Sequence, residues 1–109
     1  MTEQNYAAMT EHELRQEIAN LKEKARKAEQ LGIVNEFAVY ERKAIMAAAY
    51  LVDLSTIIIG EMYRIDGAPG EFFQVDRIKG RFAWGHRLGS DLYEEAIPVS
   101  MLAPMKVGK

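Results

Sequence analysis

The sequence predicts an α+β fold, with helices in the first half of the chain and strands in the second. Apolar residues recur at steps of three and four as far as residue 53, which is the period of an α-helix. Beyond that point they fall into short runs separated by Gly and Pro, which is typical of strands and tight turns. We therefore expect an N-terminal antiparallel helical hairpin at residues 10–53, packed on a C-terminal five-stranded SH3-like β-barrel at residues 54–105.

The first helix has a clear start and a clear end. Thr10 and Glu13 have the spacing of a capping box, in which each side chain bonds the backbone N–H of the other residue. One apolar stripe follows, and Gly32 is a natural C-terminal residue. The stripe consists of Leu14, Ile18, Leu21, Ala25 and Ala28.

The second helix is expected at residues 34–52, and its last nine residues, AIMAAAYLV, are all apolar. A helix that is apolar on every side is buried on every side. The first helix can cover only one flank, so we expect the hairpin and the barrel to share one core. Residues 1–9 and 106–109 lie outside these patterns and are expected to be flexible ends.

Four β-rich runs follow, at residues 57–65, 72–78, 81–88 and 93–99. Pro98 cannot donate to a sheet ladder, so a tight turn is expected at residues 99–102, followed by the fifth strand. Gly85 lies inside a strand pattern and indicates a bend or the close approach of another backbone. Five short strands with a turn before the last one predict the SH3-like barrel.

The composition narrows the range of functions. There is no cysteine, which removes thiolate zinc sites and disulfides and favours a cytoplasmic protein. The longest apolar run has nine residues, whereas a membrane helix needs about 20, so no membrane association is expected. The net charge is −2, without the strongly basic character typical of nucleic-acid-binding domains.

The residues that could carry chemistry do not form a recognisable constellation. The two histidines lack a third ligand at a metal-binding spacing. Glu94 and Glu95 are neighbours on a strand and point to opposite faces, so they do not form an acid–base pair. The prediction is a protein that is not an enzyme, with no catalytic residues, no metal and no cofactor.

One cluster, at residues 77–87, is a candidate binding surface. Phe82, Trp84 and His86 alternate along a strand and share one face, while Arg81 and Arg87 lie on the other. An aromatic strand face bordered by cations can stack single-stranded bases or hold an extended peptide. The same aromatic residues could instead pack against the second helix. The candidate binding residues are Arg77, Lys79, Arg81, Trp84, His86 and Arg87.

Five segments carry a resemblance to a known family: MTEHEL at residues 9–14, EKARKAEQLG at 23–32, NEFAVYERK at 35–43, FAWG at 82–85 and EEAIPVSML at 94–102. Over residues 9–103 the chain resembles the YfhH family of small uncharacterised proteins of Bacillus and its relatives. The resemblance implies a helical hairpin on an SH3-like barrel, and it implies no activity. The chain departs from the family pattern at two places. It has Lys79-Gly80 where Asn-Gly is expected, and His86 where a tyrosine is expected.

The expected function is that of a small non-catalytic protein-interaction module, which uses the strand face around Trp84 with its rim of Arg and Lys. The partner is expected to be another protein. The alternative is a nucleic-acid-binding accessory protein that uses the same cations. The oligomeric state and the biological process are left open by the sequence.

Overall fold

The computed structural model describes residues 5–91 and 93–105. The chain divides into two compact units, Met1–Leu51 and Val52–Lys109. The shared core expected from the apolar end of the second helix stays a prediction. The expected flexible ends fall in large part at residues 1–4 and 106–109, outside the described residues.

The first unit contains two helices, α1 at Glu11–Gln30 and α2 at Val34–Ala49, preceded by a 3-10 turn at Tyr6–Ala8. The predicted capping box is confirmed. The backbone N–H of Glu13 donates to the Thr10 hydroxyl at 3.1 Å, and the N–H of Thr10 donates to the Glu13 carboxylate at 3.0 Å. Gly32 ends the first helix with a φ of 75°, a conformation that glycine adopts without strain.

The helices pack along the predicted stripe. Leu14, Leu21, Ala25 and Ala28 are buried on α1, and Ala44, Ala47 and Ala49 are buried on α2. The second helix ends three residues earlier than predicted, because the N–H groups of Tyr50 and Leu51 bond carbonyls only three residues back, which tightens the last turn. Within the described residues, neither helix is long and apolar enough to cross a membrane.

The second unit contains a five-stranded antiparallel sheet with the order β4-β3-β2-β1-β5. The strands are β1 at Met62–Ile65, β2 at Phe72–Lys79, β3 at Phe82–Arg87, β4 at Glu95–Pro98 and β5 at Leu102–Pro104. The first strand is shorter than the predicted run from residue 57. Asp53 caps a 3-10 turn at Leu54–Thr56, and Gly60 has a φ of 94°, so regular pairing begins only after them.

The predicted SH3-like barrel is wrong, because the sheet is open and β4 and β5 form its two edges. Closure would require a ladder between these edges. They have only four and three residues, and each ends in a proline, Pro98 or Pro104, that lacks the N–H such a ladder needs. The predicted turn between them is confirmed as a 3-10 turn at Val99–Met101.

One face of the sheet is buried. Its fully or nearly fully buried side chains are Ile65, Phe73, Val75, Ala83 and Ile97, and Val99 in the turn after β4 is buried as well. Gly85 lies on the same face, and a Cβ added there would lie 1.8 Å from the carbonyl oxygen of Gln74. The close backbone approach predicted at this glycine is therefore confirmed.

A candidate interaction face on the sheet

A β-bulge in β2 determines which side chains reach the exposed side of the sheet. The register shifts between Val75 and Arg77, so that Asp76 is the extra residue. Without the shift, strict alternation from the buried Val75 would place Arg77 on the buried face. With it, Arg77 lies directly across from Trp84, which is the re-aiming effect typical of bulges.

The bulge creates a surface that we call the Trp84 face. It is the side of β2, β3 and β4 opposite the buried residues, and antiparallel partners share it. Trp84 pairs with Arg77 on one side and Ala96 on the other, and Phe82 pairs with Lys79 and Pro98. Phe82 and Trp84 are partly buried, whereas Lys79 and His86 are exposed.

Arg77 connects the ring of Trp84 to a carboxylate. The guanidinium carbon lies 4.7 Å from the ring centroid, within the range of a cation–π contact. The same guanidinium donates to the carboxylate of Glu94 at 3.2 Å. The ring and the carboxylate therefore hold the cation between them.

Two further polar side chains of the Trp84 face, those of His86 and Lys79, differ in their partners. His86 Nδ1 lies 2.7 Å from a carboxylate oxygen of the bulge residue Asp76, and both side chains are partly exposed. The side chain of Lys79 makes no hydrogen bond or ion pair with the described residues. Lys79 is thus the one cation of the predicted rim that lacks a partner in the described chain.

Arg81 and Arg87 are absent from the Trp84 face, as strand alternation predicted. Arg81 donates to the carbonyl oxygen of Val52 at 2.9 Å in a partly buried setting. Arg87 donates to Glu95 at 2.7 Å and also pairs with Glu71. Both guanidinium groups hold segments of the second unit together.

The pKa of Arg87 reflects this environment. Its hydrogen bond to Glu95 raises the pKa above the ordinary arginine value, partial burial lowers it, and the contact with Glu71 raises it further. The net direction is upward, since two carboxylates stabilise the charged form. Arg87 therefore stays charged and stays occupied.

The adjacent glutamates serve separate contacts. Glu94 pairs with Arg77 on the Trp84 face, whereas Glu95 pairs with Arg87 on the other side. Within residues 5–91 and 93–105, no three His, Asp or Glu side chains lie close enough together to hold a metal ion. What the site offers is an aromatic surface surrounded by polar groups that mostly have partners.

Sequence reasoning missed the bulge and the acidic partners of the cations. A signal for the bulge was present, since the apolar residues on the buried side of β2 are Phe73, Val75 and Ile78, at steps of two and then three. A uniform strand would keep a step of two. The partners could not be found in the same way, because Glu71 and Glu94 lie outside the cluster of residues 77–87.

Comparison with known proteins identifies the family. Residues 4–103 match the family described as "Protein of unknown function (DUF1811)". The chain is also 52% identical over 100 residues to "Uncharacterized protein YfhH" of Bacillus subtilis (strain 168), a match that covers 92% of this chain and 95% of the relative. The chain thus belongs to the DUF1811 family, to which the resemblance of its sequence segments pointed.

Proposed function

We propose that this chain is a small non-catalytic protein-interaction module that binds its partner through the Trp84 face. The observation that carries the proposal is the partly exposed indole of Trp84, flanked on one strand by Phe82 and His86. Aromatic residues with a polar surround are enriched at the centres of protein interfaces. The surrounding polar groups are already paired, so a partner can cover the ring without leaving many charges unpaired.

The edges of the sheet support binding by the face rather than by strand addition. The N–H of Val99 donates to the carbonyl of Arg81 at 3.0 Å, so Pro98, one residue earlier, faces the free edge of β4. Pro104 occupies the corresponding position on β5, and the side chain of Arg64 donates to its carbonyl at 3.0 Å. Prolines and satisfied carbonyls are typical of edges protected against pairing with another strand.

The partners of the predicted basic rim weaken the nucleic-acid alternative. Binding of nucleic acid depends on cations that are free to neutralise phosphates. Arg77, Arg81 and Arg87 each have an acceptor within the chain, and Lys79 is left to contact a ligand. A single lysine supports little affinity for a phosphate backbone.

The environment of the acidic groups supports a non-catalytic role. A general acid or base must have a reacting group within reach. On and near the Trp84 face, the carboxylate of Glu94 contacts Arg77 and that of Asp76 contacts His86. Each carboxylate thus holds the side chain of Arg77 or His86 in place on the Trp84 face, which is the role expected in a binding surface.

The experiment that tests the proposal is affinity capture from cell lysate, with and without nuclease, using the wild-type chain and Trp84→Ala. Tyr93→Ala is the matched control, because Tyr93 is 94% exposed and lies outside the Trp84 face. We expect a protein that is retained by the wild type and by Tyr93→Ala, resists nuclease and is lost with Trp84→Ala. Capture that is unaffected by Trp84→Ala would contradict the proposal.

A titration with mixed-sequence single-stranded DNA tests the alternative. The logarithm of the affinity falls with the logarithm of the salt concentration at a slope of about −0.7 per phosphate contacted. With Lys79 as the available cation we expect a slope of about −0.7 or no measurable binding, and little quenching of Trp84. A slope near −3 with strong quenching would require all four cations and would favour nucleic acid.

A further inference from the structure

The charge of the second unit is nearly balanced. Val52–Lys109 contains eight carboxylates and seven cations. On the Trp84 face, the carboxylates of Asp76 and Glu94 lie beside the cations Arg77 and Lys79. The choice of ligand at this face therefore depends on the groups that contact the indole and not on the net charge of the unit.

The Trp84 face contains a site of the shape that a cation needs. The indole of Trp84 provides a π surface, and the carboxylate of Glu94 provides a counter-charge at its border. The protein's own Arg77 fills this site, 4.7 Å from the ring centroid and 3.2 Å from the carboxylate. The geometry of Arg77 thus shows how a guanidinium is bound there.

We propose that Trp84 and Glu94 form a receptor for a basic side chain of the protein partner, and that Arg77 occupies this receptor in the free protein. The inference rests on the proposed function and specifies the chemistry of its partner. The ligand is a peptide segment with an accessible arginine, whose guanidinium replaces that of Arg77 on the indole and against Glu94.

The exposure of the contacts makes such a replacement feasible. The side chain of Arg77 is 50% exposed and that of Glu94 is 33% exposed. Ion pairs and cation–π contacts at exposed positions are weak, and the long arginine side chain can turn toward solvent. Arg77 then acts as an internal competitor, so its occupancy lowers the apparent affinity for the external cation.

The test uses a defined probe, a capped pentapeptide with two arginines between glycines, and the fluorescence of Trp84, the only tryptophan. If Arg77 fills the receptor about nine-tenths of the time, Arg77→Ala lowers the apparent dissociation constant about tenfold. Lys79→Ala is the matched control. It removes the same charge from the same strand but vacates no site, so we expect a change of less than about twofold.

A second pair of variants tests the carboxylate. Glu94→Gln removes the counter-charge and should weaken binding of the arginine peptide to the Arg77→Ala protein. Glu61→Gln removes a charge from an exposed position elsewhere in the unit and should have little effect. The citrulline analogue of the peptide keeps its shape without the charge and should leave Trp84 fluorescence unchanged.

The proposal is overturned if Arg77→Ala and Lys79→Ala bind the arginine peptide equally, or if the citrulline peptide binds as well as the arginine peptide. These results would leave the proposed function standing as long as capture from lysate still depends on Trp84. Loss of that dependence would instead overturn the interaction module itself. The peptide titration therefore tests the arginine receptor, and the capture from lysate separately tests the interaction module.

Discussion

Replacing Gly85 with alanine should destabilise the sheet severely, because the added methyl group has no space. Its Cβ would lie 1.8 Å from the carbonyl oxygen of Gln74 and 3.2 Å from the backbone nitrogen of Asp76. Both atoms belong to the backbone of β2, so no side-chain rotation relieves the clash. Ordinary van der Waals contact begins at 3.4 Å, and β3 must therefore separate from β2 beside the bulge.

The cost follows from what this separation breaks. Forcing extra volume into a packed site costs about 1 to 3 kcal/mol, and each buried backbone hydrogen bond left unmade adds about 1 to 3 kcal/mol. We expect a loss of about 3 to 5 kcal/mol, a large part of the 5 to 15 kcal/mol that stabilises a typical domain. The melting temperature should fall by at least about 12 °C.

The assay is thermal and urea denaturation followed by the fluorescence of Trp84, which reports on the second unit. Gly80→Ala is the matched control in the adjacent turn, where an added Cβ meets nothing within 4 Å. It introduces only the cost of alanine at a φ of 62°, about 1 to 2 kcal/mol. If Gly85→Ala is no less stable than Gly80→Ala, the close approach of β2 to Gly85 and the strand register beside it are wrong.

Three further predictions concern the two units. Arg87→Met should lower the free energy of unfolding of the second unit by about 1 to 3 kcal/mol, since two carboxylates lose their shared partner. Urea denaturation measures this loss, and adding Glu95→Gln to the Arg87→Met protein should restore part of it. Hydrogen bonds from Ser55 lower the pKa of Asp53 below its ordinary value of 3.8. The ionised Asp53 therefore stabilises the folded state above pH 3.8, and this contribution is lost as the pH falls through the lower pKa that Asp53 has in the folded state. The stability difference between wild type and Asp53→Ala should therefore shrink between pH 7 and pH 2, and a constant difference would contradict this assignment. A fragment of residues 1–53 should aggregate or lose helix content, as circular dichroism and sedimentation would show, whereas a monomer with a cooperative melt would exclude a shared core.

The parts of the fold that were predictable from sequence depend on local chemistry. The capping box at Thr10, the glycine at the end of α1 and the turn after Pro98 each involve residues within a few positions of one another. These interactions form between residues of one short segment, so they can be predicted from the local sequence without knowledge of the tertiary structure. The positions of β2, β3 and β4 followed in the same way from short runs between turn residues.

The openness of the sheet was not predictable by that route. Closure depends on hydrogen bonds between β4 and β5, and five short strands are compatible with a closed barrel or an open sheet. Pro98 and Pro104 decide the matter because each lacks an N–H donor. Whether that lack falls on the free edge of the sheet is known only once the register of β4 and β5 is known. Pro98 predicts a turn from sequence alone, but its effect on closure depends on its position in the ladder.

The candidate site shows why a count of cations was misleading. Four basic residues at positions 77–87 suggested a rim for phosphates, but an arginine that already has a carboxylate or carbonyl partner contributes little to binding a second one. The bulge at Asp76 brings Arg77 to the exposed face and at the same time places it on Trp84. One extra residue in β2 therefore turns a basic strand into an aromatic site that already contains a cation.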